Sequence, residues 1–208
     1  MREIEYFYSA HSAYAYLGSA RFMAIAAETN RVVVHKPYDW NKGVAGVGST
    51  ATRSRPDNHR AYYFGREIER WAEYRDAPVV AGMPTHHWND MTIANCLVIA
   101  AGARGAGADA LAHVMLQAHW RDDADLADEE TLDRLIRGVG LDAAALMNTA
   151  RSADTLAIYE ANTREAIERS VFGSPTYFVD GDMFYGQDHL EMVERALRQP
   201  FAGSWPRA

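Results

Sequence analysis

The sequence predicts an α/β fold: a small core of order βαβ…ββα, interrupted by a large all-helical insertion. Three observations carry that prediction. Two β-branched and aromatic runs, Ile4 to Tyr8 and Arg31 to His35, flank a helical stretch near the start. A second pair of such runs, Thr176 to Asp180 and Met183 to Tyr185, lies near the end. The long stretch between the two pairs is rich in Ala, Leu and other helix-favouring residues.

The elements follow in order. Ile4 to Tyr8 reads as a short buried strand. Tyr14, Leu17, Phe22, Ile25 and Ala26 then recur at helical spacing, and Ser12 just before them is a good N-cap. Arg31 to His35 is the second strand. From Asp39 to Gly48 the chain is Gly-rich and reads as irregular. Pro56 opens a helical segment through Ile68, Trp71 and Tyr74 that ends near Asp76 to Pro78. Five further helices follow: Met91 to Ala103, Ala108 to Trp120, Glu129 to Val139, Leu141 to Ala150 and Ala153 to Ser170. Gly181-Asp182 reads as a tight turn between the last two strands, and Leu190, Val193 and Leu197 form the apolar stripe of a final helix. The tail from Pro200 to Ala208 reads as loosely packed. The core domain is therefore expected over 1–39 and 171–199, with the helical insertion over 40–170.

Composition narrows the function classes. With 48% hydrophobic and 11% aromatic residues, the 208-residue chain is expected to be compact rather than disordered. A formal net charge of −7 and the lack of a basic stripe argue against a nucleic-acid partner. No apolar run approaches bilayer-spanning length, and the opening residues do not read as a secretory signal. A cytoplasmic enzyme or binding protein is expected. The single cysteine, Cys96, excludes a C-x-x-C pair and lies in a helical apolar pattern, so it reads as a buried structural thiol.

Several motifs fail for want of context. Gly46 to Ala51 fits a dinucleotide-binding glycine pattern, but no strand directly precedes it and Pro56 interrupts any helix that starts there. The eight histidines lack metal-ligand spacing; His86 and His87 read as polar loop residues, and no metal site is expected. The run Asp122, Asp123, Asp125 lacks the turn glycine and closing Glu of a calcium loop and reads as a solvated helix connection.

Two segments do carry chemistry. Ser12 sits where a strand gives way to a helix, beside a helix N-terminus that favours an anion such as a thiolate. Gly173-Ser174-Pro175 places a proline directly before a strand, where a cis bond fits. On these residues the chain resembles the 2-hydroxychromene-2-carboxylate isomerase family, in the DsbA-like, kappa-class glutathione transferase branch of the thioredoxin superfamily. The opening motif is carried by Tyr6 to Leu17. The more specific closing motif is carried by Val171 to Val179 and by Tyr185-Gly186-Gln187-Asp188-His189. Ala13 stands where the family usually has Pro, Tyr185 where it often has Trp and His189 where it has Arg.

The resemblance implies a thioredoxin-like core and a glutathione cofactor. It makes Ser12 the catalytic residue that holds the glutathione sulfur as thiolate. It also implies that backbone groups of Ser174, before a cis Pro175, pair with the peptide part of glutathione, and that Gln187 and Asp188 hold its γ-glutamyl end. The substrate is then a small aromatic carboxylate from aromatic-compound degradation. Lys42, Arg53, Arg55 and Arg60 cluster in the segment bordering the site, and Lys42 and Arg60 are candidate substrate contacts. A kappa-class-like transferase and a non-catalytic thioredoxin-like binding protein stand as alternatives, and the resemblance allows a homodimer.

Overall fold

The computed structural model describes residues 3–49, 54–203 and 205. Strand β1 (Glu3–Tyr8) leads through helix α1 (Ala13–Glu28) to β2 (Val32–Pro37), which pairs with it in parallel. Two strands from the far end of the chain complete the sheet. Strand β3 (Thr176–Val179) runs antiparallel to β1, β4 (Asp182–Tyr185) runs antiparallel to β3, and the order is β2-β1-β3-β4. The last two strands join through Asp180 and Gly181, at φ 49° and 92°, so the tight turn is centred one residue before Gly181-Asp182.

Strand β1 reads as a nearly continuous apolar run because both its faces are covered. On one face Ile4, Tyr6 and Tyr8 join a buried cluster with Phe22 and Ile25 of α1. Tyr6 stacks on Tyr8 at 4.2 Å and on Tyr177 of β3 at 5.3 Å between ring centroids. On the other face Phe7 packs with Tyr38, Ala166, Val171 and Phe178. Each such aromatic contributes about 1.5–3 kcal/mol by leaving water.

Between β2 and β3 the chain is helical, as expected, with one addition. The Gly-rich segment expected to be irregular forms α2 (Trp40–Gly46), capped by Asp39, whose carboxylate accepts the Lys42 N–H at 3.0 Å. Two glycines that lower helix propensity are kept there by close packing. A Cβ at Gly43 would lie 2.6 Å from the Tyr38 ring, and one at Gly46 would lie 2.6 Å from Ile167. Of the glycine pattern itself, Thr50 and Ala51 lie outside the described residues.

The segment opened by Pro56 divides into α3 (Asp57–Ala61), a π-helical turn (Tyr62–Arg66) and α4 (Glu67–Arg75). After a long loop come α5 (Thr92–Ala100), α6 (Gly105–Asp122), α7 (Glu129–Gly138), α8 (Ala143–Ala150) and α9 (Ala153–Glu168). The last three start on Asp128, Asp142 and Ser152, whose side chains accept N–H groups three residues on. The chain ends its core with α10 (Leu190–Arg198). One buried apolar cluster runs from Tyr6 and Phe22 of the sheet and α1 to Leu97, Leu111, Trp120 and Leu132 of the helical block. Segment 40–170 thus shares its core with the sheet. In the tail, Phe201 lies against the Arg195 guanidinium at 3.8 Å; residues 204 and 206–208 lie outside the described residues.

Candidate active site

The loop after β1 meets the turn before β3 at the N-terminus of α1. Ser12 caps that helix: its Oγ accepts the Ala15 N–H at 3.3 Å, while its O–H donates to the Ser174 carbonyl at 3.1 Å. The Ser9 N–H donates to Ser174 Oγ at 3.3 Å, so two serines tie together segments 162 to 165 residues apart. The Ser174–Pro175 peptide is cis, and the buried Pro175 carbonyl accepts the Gly186 N–H at 2.9 Å.

Above this junction opens a cavity of about 390 Å³. Ser9, His11, Ser12, Ala13 and Tyr14 line one side, and Gly173, Ser174 and Tyr185 stand beside them. The helical block supplies the rest: Asp39 to Asn41 and Val44 at α2, Arg55, Tyr63, Phe64, the run His87 to Thr92, Asn95, Trp120 and Tyr159. A second compartment of about 150 Å³ shares Tyr14, Tyr63, Ser174 and Tyr185 with the first and adds Glu67, Trp71, Gly186, Asp188 and His189. The two compartments meet at these four shared residues. Tyr14 fastens that junction by donating its hydroxyl to the Tyr63 carbonyl at 2.5 Å. Gly173 lets the Tyr185 ring lie flat on the backbone, since a Cβ there would sit 2.2 Å from it.

The candidate residues do not all reach these compartments. Ser12 and Ser174 line the larger one, and Asp188 lines the smaller, half-exposed, with His189 Nδ1 at 3.5 Å. Gln187 is fully buried and lines neither. Its Oε1 and carbonyl accept from the Arg75 guanidinium at 3.1 and 3.3 Å, and its Nε2 is buried without a hydrogen-bond partner. Lys42 points outward, its side chain 71% exposed and its Nζ 3.3 Å from Asp39. Arg60 pairs with Asp57 on the surface. Neither lines the cavity. Arg55 does line it: its guanidinium lies 5.5 Å from the Tyr63 ring centroid, and its buried Nε has no hydrogen-bond partner among the described residues. Arg53 lies outside the described residues.

A cluster of histidines stands behind the same cavity. His86 is partly buried in the loop before α5, 3.5 Å from Asp125, and His87 is only 8% exposed, with its Nδ1 3.0 Å from His119 Nε2. Its ring meets the His11 ring edge-on at 4.9 Å. Burial first, and the neighbouring His119 charge second, push the His11 pKa down to about 4 despite Asp39. Burial lowers His119 as well, against its bond to the Ala124 carbonyl. The acidic run that read as a solvated connection holds this loop: Asp123 accepts from Thr85, and Asp125 accepts from Asn89. Among the described residues no cluster of three or more His, Cys, Asp or Glu side chains is arranged to hold a metal ion.

Cys96 is fully buried, its thiol pushed up to about 11 by desolvation, which keeps it from serving as a nucleophile near neutral pH. Among the described residues no helix is long and apolar enough to cross a membrane.

Residues 3–198 match the family described as the DSBA-like thioredoxin domain. A 2-hydroxychromene-2-carboxylate isomerase of Sphingobium xenophagum is 26% identical over 198 residues, covering 94% of this chain and 98% of the relative. Among solved structures, a 2-hydroxychromene-2-carboxylate isomerase superposes with a TM-score of 0.80 at 24% identity, over 94% of each chain. The cytosolic disulfide reductase DsbM of Pseudomonas aeruginosa, solved with GSH, superposes with a TM-score of 0.59 at 18% identity, over 95% of this chain and 93% of that one.

Proposed function

This chain belongs to the DSBA-like thioredoxin-domain family, and from that premise we propose that it is a glutathione-dependent isomerase of the 2-hydroxychromene-2-carboxylate type. The observation that carries the reading is Ser12. A hydroxyl, with no cysteine beside it, sits at the N-terminus of α1 facing the residue before the cis proline, at the side of a two-compartment cavity. A hydroxyl there can stabilise a thiolate but cannot form a mixed disulfide, so the site suits thiol addition rather than thiol–disulfide exchange. The names of the curated relatives support an isomerase, and the reductase solved with GSH supports a glutathione site in this fold.

Glutathione, held by Ser12, Ser174 and Asp188, would supply a nucleophilic thiolate for reversible addition to a conjugated carbon of the ring-opened or ring-closed chromene. The chain's own residues bind and orient. Ser12 turns its O–H from the Ser174 carbonyl to the sulfur, and the positive end of α1 adds to the stabilisation. Backbone groups of Ser174 pair with the peptide part of the cofactor. Asp188, across the shared residues in the smaller compartment, takes the γ-glutamyl ammonium. Gln187 contributes from behind by fixing Arg75. The larger compartment takes the aromatic substrate, and the unpartnered Nε of Arg55 is the cation within it that suits the substrate carboxylate.

Calorimetric titration with reduced glutathione tests the reading. Binding is expected, weakened in Asp188→Ala. Ser12→Ala is expected to keep the fold and lose about 10²–10³-fold in turnover of 2-hydroxychromene-2-carboxylate. Free thiol counted before and after the reaction stays constant for an isomerase and falls for a transferase. No heat and no thermal shift at millimolar glutathione would overturn the proposal.

A further inference from the structure

Four side chains on the cavity wall fix one another's protons. The Asn95 Oδ1 accepts the Ala10 N–H at 2.9 Å, and because a backbone N–H only donates, this sets which way the buried amide faces. Its Nδ2 therefore donates, to Ser9 Oγ at 3.3 Å and to Tyr159 Oη at 3.2 Å. Ser9 is 1% exposed, and among the described residues the one acceptor within reach of its own proton is His11 Nδ1 at 2.9 Å. With the proton on His11 Nδ1 instead, the buried Ser9 hydroxyl would go unsatisfied, at a cost of about 1–3 kcal/mol. The His11 proton therefore sits on Nε2, which bonds to no atom of the described residues, and His11 lines the cavity. Tyr159, also lining the cavity, accepts from Asn95 and finds no acceptor among the described residues for its own proton.

We propose that His11 Nε2–H and Tyr159 Oη–H form a pair of neutral donors that hold the carbonyl oxygen of the substrate as it gains negative charge, with Ser9 and Asn95 as their positioning residues. The role rests on the isomerase reading above for the identity of that oxygen. Addition to a conjugated carbon moves a π-electron pair onto the carbonyl oxygen; its return expels the sulfur. No proton is transferred and no electron is gained or lost overall, so the groups needed are donors that do not ionise. Burial supplies that property, holding His11 uncharged across the neutral range and raising the Tyr159 hydroxyl. Preorganised neutral donors of this kind need no rearrangement when the charge develops.

The geometry makes one isosteric change decisive. Asn95→Asp offers two acceptors where Asn95 offers two donors. The Ser9 and Tyr159 protons then turn toward it, His11 donates from Nδ1 to Ser9, and Nε2 is left bare. The probe is 4-nitrophenol, titrated without glutathione near neutral pH while the phenolate absorbance is followed; imidazole nitrogen NMR shifts report the His11 tautomer. The wild type is expected to bind the phenolate in preference to the neutral phenol, with the His11 proton on Nε2. Asn95→Asp, His11→Leu and Tyr159→Phe are each expected to lose on the order of 10–100-fold in phenolate affinity. His11→Gln, which keeps a donor near the position of Nε2, is expected to retain most of it. His11 protonated on Nδ1, or phenolate affinity unchanged in His11→Leu and Tyr159→Phe, would overturn the pair whether or not Asn95→Asp folds. If glutathione fails to bind while the phenolate preference stands, the isomerase reading falls and the donor pair does not.

Discussion

The two sides of the cavity are built in different ways. One is made where β1 ends and β3 begins, from backbone turns, a helix cap and a cis proline, with Ser12 and Ser174 hydrogen-bonded across it. The other is made by side chains that the helical block brings from afar: Asn95 reaches back 85 residues to Ala10, and His87 meets His119 across 32. The first holds a group by local geometry, which tolerates change in its surroundings. The second holds groups by mutual satisfaction, so one substitution alters several partners at once.

Trp120 joins the two, and its loss is the largest effect expected. The ring is fully buried, and its Nε1–H donates to the His11 carbonyl at 2.8 Å, directly before Ser12. Trp120→Ala is expected to cost about 3–5 kcal/mol in chemical denaturation. Trp120→Phe is expected to cost less, because the apolar contact survives and only the carbonyl loses its donor. If Trp120→Phe costs nothing, the bond to His11 does not couple the two sides.

Arg55 gives the next effect, on the helical side alone. Its buried Nε has no hydrogen-bond partner among the described residues. Arg55→Met, which keeps the stem, is expected to raise the KM for the carboxylate substrate about 10–100-fold and to leave glutathione binding unchanged. A change in glutathione affinity of the same size would show that the compartments are not separate in function.

Acid acts where the two sides meet, at His11. His11 has a folded pKa of about 4 against an ordinary value of 6.5, so the unfolded chain takes up a proton there first as pH falls. The stability this site confers is fully present above the unfolded value and is lost on the way down to the folded one. Tm is therefore expected to decline through that window by the equivalent of roughly 1–3 kcal/mol, and the decline is expected to flatten in His11→Gln.

The same contrast governs what was legible in the sequence. The βαβ…ββα order, Ser12 as cap and Ser174 before a cis proline were all readable, because each rests on neighbours within a few residues. Helix α2 was not, since its glycines are demanded by Tyr38 and by Ile167. Nor were Asn95, Tyr159 and the His87–His119 pair, whose meaning lies in partners that only folding brings near. His11 stood next to Ser12 throughout, but its tautomer follows from Asn95. The sequence also overstated local charge: Lys42, Arg55 and Arg60 look alike as a cluster, and only Arg55 lines the cavity.

That last point yields the smallest effect and the sharpest control. Lys42 sits on α2, whose Asp39 cap and Val44 face the cavity, yet its own Nζ lies 3.3 Å from Asp39 Oδ2 with the side chain 71% exposed. Exposed pairs of this kind contribute under about 1 kcal/mol, and water already screens the charge from the cavity. Lys42→Ala and Arg60→Ala are each expected to change stability by less than about 0.5 kcal/mol. Substrate KM is expected to stay within about twofold of wild type, since no contact to the cavity is removed. The measurement is steady-state kinetics at two ionic strengths. A rise in KM for Lys42→Ala that disappears at high salt would mean that the helical side draws its substrate in by long-range charge, and that Arg55 does not recognise the carboxylate alone.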